Sequence, residues 1–262
     1  MIETLDDRES YRRRARACWQ KNASYWLSNP LRHVADVGEY IIDRVIAACS
    51  KSNSPRPTIV DMGFGSAWVY DALRTRRFSC NYVGLDSTEQ FVCHSRNSYA
   101  TDEFCRFELT DLEEPVGIDV RADVVLNAFT FFELAQLQQP MMNAYKLLRP
   151  GGSLLVSTID STYLILAVSN SWDGFRDNLA RYEKLPGTKY AFQPIDLGDR
   201  ASSTLEYPSV LYSRDDYITA ASSVGFRLTS YKEHIFTAKP IPKIYVHLEL
   251  LKGGESVPVP NR

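Results

Sequence analysis

Between Thr58 and Thr158 the chain alternates short apolar runs with longer amphipathic segments, and this alternation limits the fold more than any other feature. The runs are Thr58 to Met62 (TIVDM), Asn81 to Leu85 (NYVGL), Arg106 to Leu109 (RFEL), Asp123 to Asn127 (DVVLN) and Ser153 to Thr158 (SLLVST). Strands buried on both faces read as short apolar runs, and parallel strands need crossover helices between them. The pattern therefore predicts an α/β domain on a parallel sheet. A helix over Pro140 to Leu148 is expected to stop at Arg149-Pro150-Gly151-Gly152 and feed the fifth strand. Later, Ser213 is placed to cap a helix that runs to Val224 and ends at Gly225, ahead of strands over Phe226 to Phe236 and Ile244 to Leu251.

The flanks break the pattern. Residues 1–53 read as a helical cap, with Tyr11, Ala15, Trp19 and then Val37, Ile41, Ile42 and Val45 at helical spacing and Asn29-Pro30 as the break. Residues 54–160 form the core and 161–212 an insertion with scattered Pro and Gly. Residues 213–252 complete the core, and 253–262 (GGESVPVPNR) form a tail expected to be disordered. A net charge of -2 lacks the basic field used by nucleic-acid and anionic-membrane binders, so neither partner is expected. No apolar stretch is long enough for a membrane span, and MIETLDDRESYRRRAR lacks the apolar run of a secretory signal, so a cytoplasmic location is expected. Five widely spaced cysteines without a CxxC pair predict that most are small buried hydrophobes and that none forms a metal site.

The strongest local signal is Val60-Asp61-Met62-Gly63-Phe64-Gly65-Ser66-Ala67, at the junction of the first strand and the next helix. In open α/β sheets ligands bind beyond the carboxyl ends of the strands, where glycine lets the backbone turn and approach closely. A GxG also fits a strand end that holds nothing. Two further acids stand at successive strand ends. Asp86, 25 residues after Asp61, is placed to accept both hydroxyls of a ribose, and Asp111 to meet an adenine amino group, although either also fits a solvated acid or a helix cap. A dinucleotide GxGxxG fails because Trp68 fills the last glycine position, and no GK[ST] follows. An adenosine ligand without a phosphate cradle, bearing an amino group near Asp61, fits best.

These residues resemble the class I S-adenosylmethionine-dependent methyltransferases over Thr58 to Asp160, and again over Tyr212 to Phe226. Ala67 stands in the third glycine position and Phe64 where that family often has cysteine. The resemblance implies a doubly wound, Rossmann-like, seven-stranded, mostly parallel sheet with its last strand antiparallel. It implies S-adenosylmethionine as cofactor, with S-adenosylhomocysteine as product. Asp61, Gly63, Phe64 and Gly65 would line the methionine end, Asp86 and Ser87 the ribose, Asp111 and Leu112 the adenine, and Asn127, Ala128 and Phe129 the sulfonium.

Under that reading the acceptor is a small, largely apolar or aromatic metabolite of secondary metabolism, methylated at O, N or C. Aromatic residues make up 12% of the chain, and eight of them fall between Tyr163 and Tyr212. Together with Tyr11, Trp19, Tyr25 and Trp26 they are expected to build the acceptor pocket, in which Trp26, Phe132, Tyr163 and Tyr190 are named as walls; part of the set also fits ordinary core filling. His33, Glu133 and Tyr25 are the candidates for proton transfer, set against a packing histidine and a first-turn acid. Arg176, Arg181, Lys184, Lys189 and Arg200 leave open C-methylation of an isoprenoid diphosphate. A macromolecule methyltransferase and a non-catalytic cofactor-binding domain are the readings of a different class. A homodimer is one compatible assembly.

Overall fold

The computed structural model describes residues 2–4, 7–30, 37–167, 169, 172–194, 206–236 and 243–253. The first elements are β1 (Glu3–Thr4), α1 (Arg8–Ser28), α2 (Gly38–Cys49), β2 (Thr58–Met62), α3 (Trp68–Thr75), β3 (Asn81–Asp86), α4 (Glu89–Ser98) and β4 (Cys105–Leu109). They are followed by β5 (Ala122–Ala128), α5 (Gln138–Leu147), β6 (Leu148–Ile159), α6 (Ser161–Ala167), α7 (Trp172–Lys184), β7 (Lys189–Pro194) and β8 (Glu206–Val210). The last are α8 (Arg214–Ser223), β9 (Phe226–Phe236) and β10 (Lys243–Lys252).

Seven strands form the expected doubly wound sheet in the order β4-β3-β2-β5-β6-β10-β9. The pairs from β4 through β6 are parallel, while β10, the last strand, runs antiparallel to both β6 and β9. From β2 the chain first builds outward through β3 and β4, then returns to add β5 on the other side. The connections on either side of β2 therefore leave in opposite directions and open a crevice at its carboxyl end.

Strand periodicity divides the core. Ile59, Val124, Leu126 and Leu155 face α2, α3 and α4, whereas Val60, Val125, Leu154 and Val156 face α5 and α8. All seven residues of β5 are buried, which explains why its sequence shows no polar alternation. The edge strand β9 is buried only at Phe226 and otherwise mixes half-buried with exposed positions. Ser213 caps α8 by accepting the Asp216 N–H while the Asp216 side chain accepts the Ser213 N–H.

Two details depart from the sequence pattern. The turn expected at Arg149-Pro150-Gly151-Gly152 lies inside β6 as a bulge, with Leu148 opposite Ala122 and Ser153 opposite Val124. The amino-terminal region is helical in α1 and α2, but Glu3 and Thr4 pair with Tyr190 and Lys189, so β1, β7 and β8 form a second, antiparallel sheet. A two-residue strand has no periodicity of its own; its partner lies far along the chain. The tail from residue 254 lies outside the described residues. Among those described, no helix is long and apolar enough to cross a membrane.

Asp123 ties the start of β2 to the β6 bulge. Its Oδ1 accepts from Ser52 Oγ at 2.6 Å and Arg149 Nε at 2.5 Å, and its Oδ2 accepts the Thr58 N–H at 2.7 Å. Burial pushes its pKa up, but these bonds outweigh burial and hold it below the usual carboxylate range. Because a depressed pKa stabilises above the unfolded value and is lost on acidification, Asp123→Ala should cost about 2–3 kcal/mol at neutral pH. The deficit should narrow below about pH 4 in denaturant titrations; a deficit independent of pH would show that the ionised carboxylate is not what matters.

Candidate functional site

At the carboxyl end of β2 the chain reverses through left-handed backbone at Gly63 (φ 84°), Gly65 (φ 54°) and Ala67 (φ 60°) before α3 begins. The Gly63 N–H donates to Leu85 O at 2.7 Å, and Thr130 Oγ1 donates to Gly63 O at 3.2 Å. A Cβ on Gly63 would lie 2.1 Å from Thr130 Oγ1, so glycine is required both for φ and for this close approach. Ala67 accepts the conformation that glycine would make easier, and its methyl is fully buried in the core.

The loop is fastened to the next strand end by Asp86, whose Oδ2 accepts the Gly65 N–H at 3.0 Å and whose Oδ1 accepts the Thr88 N–H at 2.8 Å. Burial raises the Asp86 pKa against these bonds. With one N–H on each oxygen, lone pairs remain for further donors. Asp61 lies deeper. Tyr82 Oη donates to its Oδ2 at 2.6 Å, while Oδ1 is buried without a partner. Desolvation pushes Asp61 up to about 7, with the Tyr82 bond opposing and Asp86 adding to the shift. Asn127, also fully buried, donates from Nδ2 to Met62 O at 2.8 Å and accepts the Phe131 N–H at 3.1 Å. It brackets β2 to the turn after β5, where Phe129 takes a left-handed φ of 67°.

A cavity of about 220 Å³ opens above this loop. Gly63, Phe64, Gly65, Asp86, Ser87, Asp111, Leu112, Ala128 and Phe129 line it, as do Trp26, Phe132, Tyr163 and Glu133. The sequence reading is thereby brought together in one place for most of its residues. Asp61 and Asn127 sit beneath the cavity wall, with Asp61 Oδ2 taken by Tyr82 and the Asn127 amide by the backbone of Met62 and Phe131. Tyr25 packs edge-to-face on Trp26 away from the cavity, and Tyr190 faces a separate cavity beside Tyr11 and Phe192. His33 lies outside the described residues.

Other wall residues were not singled out from sequence. Arg12 and Arg16 of α1 share one helical face over the cavity with Ala15 and with Trp19 and Trp26, which the sequence had placed in the pocket, and that spacing could have identified the two arginines. Arg12 Nη2 donates to Asp111 Oδ2 at 2.7 Å and to Glu114 Oε1 at 2.9 Å, and Arg16 Nη2 donates to the same Asp111 oxygen at 2.5 Å. Tyr11 Oη donates to Glu133 O at 3.0 Å, joining α1 to the turn after β5. Asp111 is thus occupied by two arginines of the helix above it. Phe91 and Tyr245 complete the aromatic lining from α4 and β10. Of the rings in residues 161–212, Tyr163 reaches the cavity, whereas Phe192 and Tyr212 pack near Tyr11 under the small sheet and Trp172 is exposed. Among the described residues no group of three His, Cys, Asp or Glu could hold a metal ion.

The residues fit S-adenosylmethionine: a glycine cradle that a Cβ would fill, a strand-end carboxylate with spare acceptor capacity, and an orphaned buried Asp61 oxygen below the loop. Because Asp61 binds its proton more tightly when folded, the ligand-free protein should lose stability as pH rises from about 4 to about 7. Asp61→Asn should remove that slope in thermal melts, gaining on the wild type by up to a few kcal/mol toward neutrality; parallel curves would refute the assignment.

A family model described as a methyltransferase domain matches residues 60–156. The chain is 23% identical over 177 residues to the mitochondrial ubiquinone biosynthesis O-methyltransferase of Mus musculus, covering 63% of this chain and 46% of that protein. It is 26% identical over 148 residues to the ubiquinone biosynthesis O-methyltransferase of Rickettsia akari (strain Hartford), covering 55% of each. The chain therefore spans about half the length of these curated relatives. A crystal structure of an S-adenosylmethionine-dependent methyltransferase from Clostridium acetobutylicum ATCC 824 superposes with a TM-score of 0.63 at 12% identity, over 90% of this chain and 100% of that one. The chain thus carries a match to a methyltransferase domain over residues 60–156 and shares its fold with S-adenosylmethionine-dependent methyltransferases.

Proposed function

We propose that the protein transfers the methyl group of S-adenosylmethionine to a small, largely apolar or aromatic metabolite. The observation that carries this reading is the meeting, in one cavity, of the glycine loop and Asp86 with the rings of Trp19, Trp26, Phe129, Phe132 and Tyr163. When bound, S-adenosylmethionine supplies an electrophilic methyl group on a sulfonium. The protein's contribution is then alignment and exclusion of water, which can account for much of the acceleration of a displacement. In this reading Asp86 takes the ribose hydroxyls, and Gly63, Gly65, Ala128 and Phe129 close around the methionine end. Asp111 holds α1 over the adenine side through Arg12 and Arg16.

Glu133 is the group at hand for a proton. Burial pushes its carboxyl well above the usual range, an effect that the Trp19 hydrogen bond opposes and Asp86 reinforces. A base of this kind works when deprotonated, so the rate should rise with pH on a limb well above the ordinary carboxylate range, and that limb should vanish in Glu133→Gln. The diphosphate reading has less support, since Arg176 pairs with exposed Asp173, Lys189 stands over Tyr182, Arg181 lines the separate cavity and Arg200 lies outside the described residues.

Calorimetry should show S-adenosylhomocysteine binding to the wild type and at least tenfold weaker binding to Asp86→Ala. Wild-type affinity in that variant would remove Asp86 from the ribose site. A screen with methyl-labelled S-adenosylmethionine against hydroxylated aromatics, amines and isoprenoid diphosphates should label one small-molecule class; label found only in oligonucleotides or protein would overturn the small-molecule reading.

A further inference from the structure

Among the acids lining the cavity, Glu133 stands apart. Asp86 holds two backbone N–H groups, and Asp111 and Glu113 face the Arg12 guanidinium, with Arg16 also on Asp111. Glu133 is 8% exposed and carries a hydrogen bond from the neutral indole of Trp19, with no cation paired to it among the described residues. The rings of Trp19, Trp26, Phe129 and Phe132 line the same cavity. A buried carboxyl without a counter-charge is costly to ionise unless a ligand brings one, and aromatic faces attract cations where water is excluded.

We propose that the methyl acceptor is an amine, recognised by the Glu133 carboxyl among these aromatic faces. This rests on the methyl-transfer reading above and names the substrate class of that site. An amine entering as its ammonium pairs with the Glu133 carboxylate and passes it a proton, which leaves a neutral amine beside a neutral acid in an apolar cavity. The nitrogen lone pair then forms the new N–C bond as the methyl–sulfur bond breaks and its electron pair stays on sulfur. Nitrogen becomes positively charged next to the rings, and the proton on Glu133 leaves to solvent with product release. The raised proton affinity of Glu133 suits it to the first of these transfers. A phenol acceptor would use the same carboxyl as a base but would develop negative charge against it and gain nothing from the ring faces.

The test is binding, using benzyltrimethylammonium as a mimic of a methylated amine and neopentylbenzene as its neutral isostere, titrated into protein loaded with S-adenosylhomocysteine. The cation should bind at least tenfold more tightly than the isostere, and the preference should disappear in Glu133→Gln, with S-adenosylhomocysteine affinity within twofold of wild type. Equal affinities, no binding of the cation, or a preference that survives in Glu133→Gln overturns the proposal. A selective loss of S-adenosylmethionine affinity in that variant also overturns it, by assigning Glu133 to the cofactor's charge. Tighter binding of p-cresol than of benzylamine overturns it in favour of a hydroxyl acceptor. Should Glu133→Gln fail to fold, the same titrations on wild type across pH decide the matter: the preference must fall as acid protonates Glu133. If wild type does not bind S-adenosylhomocysteine, the methyl-transfer reading fails by itself, and the titration on ligand-free protein still tests the cation site.

Discussion

The two N–H bonds that Asp86 accepts, from Gly65 and Thr88, are the contact on which the site depends. They hold the reversal after β2 against the carboxyl end of β3, so that the glycine loop becomes the floor of a cavity. An acid at a strand end can do this because the parallel register sets Met62 opposite Leu85, leaving the next residue of each strand free to turn toward the other. Burial raises the cost of the charge, and the backbone donors oppose this without overcoming it. Loosening that link would leave Gly65 without the side-chain acceptor that fixes it, while Gly63 stays held by Leu85 and Thr130.

A second layer rests on this floor. Asn127 holds the turn after β5 to β2, which puts Phe129, Thr130, Phe132 and Glu133 on the far side of the same cavity. Helix α1 closes over it, clamped by Arg12 and Arg16 on Asp111 and by the Tyr11 hydroxyl on the Glu133 carbonyl. These bonds span a hundred residues or so of sequence and join the amino-terminal helix to two different strand ends. The chemistry available to the cavity follows from that closure: an enclosed aromatic wall lowers the local dielectric, strengthening whatever charge interaction a ligand makes with Glu133.

The aromatic residues show how sequence position and spatial role separate. The abundance of rings between Tyr163 and Tyr212 suggested a pocket built by that segment, and Tyr163 does reach the cavity. Most of the wall, however, comes from α1, the glycine loop, α4 and the turn after β5. Tyr190 and Phe192 pack with Tyr11 under the β1-β7-β8 sheet instead. That sheet had no local signature, since a strand of two residues acquires its identity from a partner nearly 190 residues away. Composition marked which segments were rich in rings, while the topology chose which rings faced inward.

What the sequence determined by itself was the local chemistry. Apolar runs with crossover-length spacing dictated a parallel sheet, and glycines where a strand must turn through positive φ dictated the loop. An acid at the end of β3 was placed to fasten that loop. Each of these is a property of a few adjacent residues and their backbone preferences, so each was legible without coordinates. Only the tertiary structure decided that Asp61 and Asn127 lie beneath the floor, that Asp111 is held by two arginines, and that Glu133 is left facing the cavity with a neutral partner. Those outcomes depend on which long-range neighbour satisfies a polar group, and burial makes that choice only when distant segments pack.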